Sequence, residues 1–308
     1  MTHTHQPMKL TYRLLRRLGH QRWLRFGIRD RIIRFFIDSD TTPDQPFAVP
    51  FYGLAYEGNL ASFIDWSAYF YGAYSYQELD LIRDILNQQT DPVFIDVGAN
   101  VGNHSLFAAI HSHRVFSFEP VPHLYDSLLQ KQATNRLANL TAFNCALGEA
   151  EAISAFSLST SGNQGTGRVV AANETASGKT ITVTIKDGDT LLSEQKIPRI
   201  TLIKIDVEGY EPFVLRGLLR TLSVYRPIVF FEWSFTSAEH ANKQAITSFF
   251  PPDYQLFFFI SHRPAFLFFE HEHYQLRPAN DSMPEGNYIA MPVEALTDGR
   301  TARIRFVS

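Results

Sequence analysis

From residue 92 onward, short apolar runs alternate with stretches of helical period, the pattern of a parallel sheet covered by helices, so an α/β fold is expected. Strands are predicted at 93–97, 114–118, 140–145, 202–205 and 228–231, and helices at 103–111, 123–137 and after Pro212. Residues 152–186 interrupt this alternation with two β-like pieces, 153–158 and 180–185, around a Gly/Asn/Ser-rich stretch at 159–167. Runs at 254–260, 265–269 and 288–291 are expected to supply a terminal hairpin and an antiparallel edge, with Phe257 to Phe259 and the pair Phe268 and Phe269 in the core.

Upstream, residues 51–90 are dense in aromatics and end in a helical pattern, Leu79, Ile82, Ile85 and Leu86, before Asp91-Pro92. Such a lead-in is expected to pack into the core or cap a pocket. Residues 13–36 interleave Leu, Ile, Phe and Trp with arginines and predict one or two amphipathic helices broken near Gly19 or Gly27. The polar, proline-containing stretch 38–50 reads as a linker. The expected organisation is therefore a basic extension and linker over 1–50 and one domain over 51–308, with its α/β core at 91–295.

Charge sharpens this picture. The whole chain of 308 residues carries a formal charge of -3, yet eight arginines face only Asp30 between residues 13 and 36. The main expectation for this segment is an apolar side packed on the domain with arginines in water, and the alternative is contact with an anionic membrane surface. Nucleic acid is not expected as a partner, because the rest of the chain is acidic and holds no recognisable nucleic-acid motif. The single cysteine, Cys145, excludes an intrachain disulfide and thiolate-rich zinc sites. With no apolar run near the roughly 20 residues of a membrane span and no secretory h-region, a cytoplasmic protein is expected, with peripheral contact through 13–36 as the variant of that reading.

Four strand ends carry the chemistry. At 94–103 an apolar strand runs through Asp96 into a turn with Gly98 and Gly102 and then a helix. Ligands bind at such carboxyl ends where strand order reverses. The spacing is G-x-x-x-G, not the G-x-G-x-x-G of a dinucleotide fingerprint, which disfavours the competing reading of a nicotinamide-dependent oxidoreductase. Glu119 ends the next strand, where an acid can accept both hydroxyls of a ribose. The strand 202–205 empties into Asp206, Glu208 and Glu211, and Glu232 ends the strand after it. Asp206 and Glu208 at that edge suit a cationic ligand, a divalent metal such as Mg2+, or a hydroxyl that needs a base, whereas Glu211 suits helix capping. The histidine pairs His111/His113 and His271/His273 lack a third ligand at metal spacing, and Cys145 reads as a packed thiol.

These stretches, FIDVGANVGNHSLFAA (94–109), FSFEP (116–120), CALGE (145–149), LIKIDVEGYEPFVLRG (202–217) and RPIVFFEW (226–233), resemble the FkbM-like methyltransferases, with IDVEGYE the most specific part. The resemblance covers roughly 51–295. It implies a Rossmann-like class I methyltransferase fold, mostly parallel with an antiparallel terminal strand and here an N-terminal helical extension, and S-adenosylmethionine as cofactor. By that resemblance Asp96, Gly98, Asn100 and Gly102 line the methionine and ribose portion, Glu119 holds the ribose, and Cys145 and Ala146 flank the adenine. Asn103, His104, Pro120 and Asp206 complete the implied cofactor set. Asp206 and Glu208 lie beside the reactive methyl, with Glu232 facing the acceptor as a further catalytic candidate. The family's typical activity is O-methylation of a sugar, glycan or natural product. Two features depart from the family pattern: the variable loop 163–167 and the arginine-rich first 40 residues.

Overall fold

The computed structural model describes residues 9–39, 41–158, 167–170, 179–233, 246–280 and 284–307. The expected variable loop falls mainly outside these residues. Two helices open the chain, α1 (Leu10–Gly19) and α2 (Phe26–Phe36). Their apolar faces pack inward through Tyr12, Leu15 and Ile33 while Arg13, Arg17 and Arg31 stay exposed, as amphipathic periodicity requires. Gly19 marks the closest approach, since any side chain there would strike the backbone carbonyl of Phe70. Arg29 departs from the expectation of arginines in water: it is buried, donates to Gly19 O at 2.6 Å and pairs with Glu272 at 2.9 Å.

A hairpin follows, β1 (Pro46–Phe51) and β2 (Leu54–Asn59), so the expected boundary at residue 50 lies inside a paired strand. Helices α3 (Phe63–Tyr71) and α4 (Tyr76–Leu86) complete the lead-in, and its aromatics Phe51, Tyr56, Trp66 and Phe70 are buried. A buried pair of Lys131 and Asp65, 3.6 Å apart, ties α3 to the central domain.

That domain contains β3 (Val93–Val97), α5 (Asn103–His111), β4 (Arg114–Phe118), α6 (Pro122–Asn135) and β5 (Leu140–Phe143). Then come β6 (Ala146–Gly148), β7 (Ala152–Leu158), β8 (Gly167–Val169) and β9 (Thr180–Asp187). The chain continues through α7 (Gly188–Glu194), β10 (Leu202–Ile205), α8 (Glu211–Arg216), α9 (Leu219–Tyr225) and β11 (Ile228–Trp233). It closes with β12 (Tyr254–His262), β13 (Ala265–Phe266), β14 (Phe269–Glu270), β15 (His273–Pro278) and β16 (Gly286–Pro292).

Eight strands form one sheet in the order β15-β12-β16-β11-β10-β3-β4-β5. The five from β11 to β5 are parallel and run in the doubly wound order, with strand order reversing between β3 and β10. This is the Rossmann-like class I methyltransferase fold. Each parallel strand is covered on both sides, so its residues alternate between two cores: Phe94 joins one, and Val93, Ile95 and Val97 join the other. At the far edge the C-terminal strand β16 runs antiparallel to β11, as expected of the terminal strand; β12, antiparallel to β16, returns to the direction of the parallel strands, and β15 reverses again.

Two further expectations are corrected. The predicted strand 140–145 is broken: Asn144 donates to the carbonyls of Glu119 and Pro120, and the chain leaves for a second sheet, β6-β9-β7-β8. Phe257 and Phe259 are core, but Phe268 and Phe269 are 63% and 57% exposed, on the small hairpin of β13 and β14 rather than inside. Among the described residues, no helix is long and apolar enough to cross a membrane.

Candidate active site

The site lies at the carboxyl ends of β3 and β10, where strand order reverses. Gly98 has a φ of +81°, and a Cβ on it would collide with the carbonyl oxygen of Asp206, so the two strand ends touch backbone to backbone here. The amides of Gly98 and Ala99 both donate to Phe118 O at 3.0 Å, which locks the turn onto β4. Asn100 takes a left-handed φ of 52°, and its amide donates to Glu119 Oε2 at 2.8 Å while Val121 N donates to Oε1 at 2.9 Å. Glu119 is thereby aimed and fixed before any ligand arrives. Burial pushes its carboxyl up to about 7, against the pull of those two amides.

Beside this turn is a group that spacing and motif did not single out. Lys204 is buried, with Nζ 3.3 Å from Asp206 Oδ2, 3.5 Å from Asp96 Oδ1 and 3.5 Å from Gly98 O. Burial alone would lower its pKa, but the two carboxylates outweigh that and raise it. Asp206 is held below the ordinary carboxylate range: burial would raise it, and Lys204 outweighs burial. Glu232 is pushed the other way, up to about 8, first by burial and then by Asp206, Glu208 and Glu211 around it. Glu208, in a left-handed φ of 53°, is raised by burial and by Asp206. Oxygens of Asp206, Glu208 and Glu232 all lie within 4.8 Å of one another. Glu211 does not join them: it accepts the amides of Val207 and Gly209 at 3.1 and 3.2 Å and so braces the turn that presents Glu208, rather than capping α8 by a side-chain bond at its start.

On another wall, His104 Nε2 meets Glu78 Oε2 at 3.1 Å, and Asn287 Nδ2 donates to Glu78 Oε1 at 3.3 Å. Asn103 exchanges hydrogen bonds with the backbone of Tyr74, which places that ring edge-on to His104. Apolar wall is supplied by Leu124 and by Ala146, Leu147, Phe156 and Val169, which come from the second sheet. Together these residues bound an open cleft of about 1200 Å³, a volume that includes the solvent in front of it.

Of the expected residues, Gly98, Asn100, Asn103, His104, Glu119, Pro120, Ala146, Asp206, Glu208 and Glu232 line this cavity. Asp96, Gly102 and Cys145 do not. Asp96 is fully buried and accepts from Ser105 Oγ at 2.5 Å; as the register partner of Lys204 on adjacent strands it supports the lysine rather than a ligand. Gly102 lets α5 pack on α6, since a Cβ there would sit 2.5 Å from Leu128 Cδ1. Cys145 lies in the core at the break after β5, and burial pushes its thiol up to about 11. Among the described residues the histidine pairs join no three-ligand group. Residues missed from sequence are Lys204, Glu78, Tyr74 and Asn287. A lysine inside an apolar strand was a readable signal, whereas the other three arrive from elements remote in sequence.

The family described as "Methyltransferase FkbM domain" matches residues 96–276. A hexuronic acid methyltransferase, AglP of Haloferax volcanii, is 29% identical over 146 residues, a match covering 47% of this chain and 58% of the relative. Methyltransferase sdnD of Sordaria araneosa is 28% identical over 174 residues, covering 46% of this chain and 67% of the relative. The chain thus spans between about half and two thirds of these relatives. Among solved structures, an FkbM methyltransferase from Methylobacillus flagellatus superposes with a TM-score of 0.39 at 17% identity, over 65% of this chain and 43% of that one. A SAM-dependent methyltransferase from Agrobacterium tumefaciens gives 0.48 at 8% identity, over 82% of this chain and 71% of that one.

Proposed function

The chain belongs to the FkbM methyltransferase family, and from that premise we propose that it moves a methyl group from S-adenosylmethionine to a hydroxyl of a sugar, glycan or natural product. The observation that carries this reading is the single cavity in which the braced Glu119, apolar walls and a carboxylate cluster over a buried lysine converge. This donor set fits the cofactor. Glu119 keeps free lone pairs for two ribose hydroxyls, Ala146, Leu147 and Phe156 offer a dry wall to an adenine, and the turn from Gly98 to Asn100 with Asp206 suits a polar, cationic methionine end. When bound, the cofactor supplies an electrophilic methyl carbon on a sulfonium.

The chain's own work is to orient the acceptor and take its proton. An alcohol is a poor nucleophile, and a positioned base contributes roughly 10² to 10⁴ in rate. Lys204 holds Asp206 ionised and therefore weakly basic. Glu232, lifted to about 8 by burial and then by the negative charge of Asp206, Glu208 and Glu211, holds a proton at neutral pH. The ranking of the two acids is thus inverted relative to the sequence reading: Glu232 in its ionised form is the better base and receives the acceptor's hydroxyl proton, while Asp206 and Glu208 orient that hydroxyl. The site gives Mg2+ no matching support, because an ammonium at 3.3 Å already balances Asp206 and the cluster retains a proton; a trio of carboxylates is not in itself a metal centre. The name of the hexuronic acid methyltransferase points to sugar acids as the first acceptors to try.

The test is calorimetric titration of the protein with S-adenosylmethionine and S-adenosylhomocysteine, followed by transfer of labelled methyl to uronic acids and neutral sugars. Binding on the order of micromolar, lost in Glu119→Ala, is expected. Wild-type protein that ignores both ligands, or takes NAD or NADP instead, would overturn the reading.

A further inference from the structure

The residues connecting α1 to α2 and the hairpin of β13 and β14 meet far apart in sequence. Arg25 N donates to Phe268 O at 2.8 Å, Glu270 N donates to Trp23 O at 3.0 Å, and the rings of Trp23 and Phe269 lie 5.8 Å apart. The joint structure presents Trp23 and the consecutive residues Phe266, Leu267, Phe268 and Phe269 to solvent, each more than half exposed. Folding does not ask for this. Large apolar side chains at adjacent exposed positions gain nothing from the core and mark an interaction surface. Leu267 also sits in a two-residue loop with a left-handed φ of 55°, where glycine or asparagine is the relaxed choice. A strained, exposed leucine at a hairpin tip is the kind of outlier from which function is read.

The charge around the hairpin identifies what it meets. Arg22, Arg25 and Arg263 are exposed at its base, in a chain whose total charge is negative. The nearby acids already have partners within the chain: Glu270 accepts Phe26 N at 3.3 Å, Glu272 is buried against Arg29, and Asp80 and Asp84, which share a pocket with Arg22, pair with Arg83 at 2.6 and 2.9 Å. An apolar tip ringed by arginines, with a tryptophan at its base, matches an interface of hydrocarbon beneath anionic headgroups. We propose that the hairpin 265–270, together with residues 22–25, docks the protein onto an anionic lipid surface. The sequence reading located membrane contact in the arginine helices alone; the geometry places the inserting element some 240 residues later and makes those arginines its collar.

The experiment is sedimentation of the full chain with vesicles of phosphatidylcholine, and of phosphatidylcholine mixed with phosphatidylglycerol, at rising salt. The protein is expected to sediment with the anionic vesicles only, and less as salt increases. The triple variant Phe266→Ser, Leu267→Ser, Phe268→Ser is expected to bind about tenfold or more weakly, and Arg25→Glu with Arg263→Glu to lose a similar factor together with its salt dependence. Unchanged S-adenosylhomocysteine binding reports that each variant is folded. A second reading needs no variant: Trp66 and Trp233 are buried, so a blue shift of tryptophan emission on adding anionic vesicles reports on Trp23. Absence of vesicle binding and of the shift, or equal binding by the triple variant, overturns the proposal. A dimer that the triple variant dissolves, with no affinity for vesicles, overturns it in favour of a second copy of the chain as the partner.

Discussion

Lys204 decides what Asp206 can do. An ammonium 3.3 Å away keeps that carboxylate ionised, and the proton of the cluster is left to Glu232. If Glu232 is the base, methyl transfer at saturating cofactor rises with pH through about 8, and Glu232→Gln flattens the rise and lowers kcat by about 10² or more. Asp206→Asn removes a neighbouring negative charge, so the midpoint moves to lower pH. A profile that keeps its midpoint in Asp206→Asn removes the coupling from the account. Stability carries the same signature. A carboxyl raised in the folded state contributes most below its ordinary pKa and loses that contribution as pH rises through about 8. The melting temperature of wild type should therefore fall relative to Glu232→Gln as pH goes from 5 to about 9, and a constant gap between the two would contradict the raised pKa. Strand-end acids were legible because an apolar run stopping at Asp or Glu before a glycine turn has few other uses. What sequence could not show is which acids face the ligand: Asp96 and Asp206 end adjacent strands, yet only Asp206 reaches the cavity.

Among the elements, α2 is pinned by one buried ion pair. Arg29 and Glu272 are 1% and 3% exposed, and Glu272 leads directly into β15 at the sheet edge. Removing only one partner strands a charge, so Arg29→Met should destabilise the fold by about 3–5 kcal/mol in urea unfolding, and adding Glu272→Gln should recover much of it. Equal losses for the single and double variants would mean that the arginine acts through packing alone. The same pair explains why the N-terminal helices were only half read: their period was visible, but their attachment depends on a residue over 240 positions away. Strand β1 was hidden for a local reason. Pro46 and Pro50 break the appearance of a strand, although Phe47 and Phe51 are buried on it, and a two-stranded ribbon tolerates proline because both its strands are edges.

For the whole molecule, the parallel core and its switch point followed from alternation and glycine placement, whereas the second sheet was half read: β7 and β9 match the β-like pieces expected at 153–158 and 180–185, but β6 and β8, three residues each, are too short to leave a pattern. That sheet matters to the ligand, since Phe156 and Val169 close the apolar wall. A ligand that bridges both sheets should stabilise them together: S-adenosylhomocysteine at a hundred times its Kd is expected to add about 2.7 kcal/mol, read as a rise in melting temperature, and to add nothing in Glu119→Ala. A shift that survives in that variant would place the ligand elsewhere. Cys145 has one more implication. It is the sole thiol of the chain, lies in the core and is pushed up to about 11, so it reacts slowly with maleimides. The natural protein is already a blank background for single-site labelling, and a probe attached after Leu267→Cys would watch the hairpin tip without any other cysteine having to be engineered away.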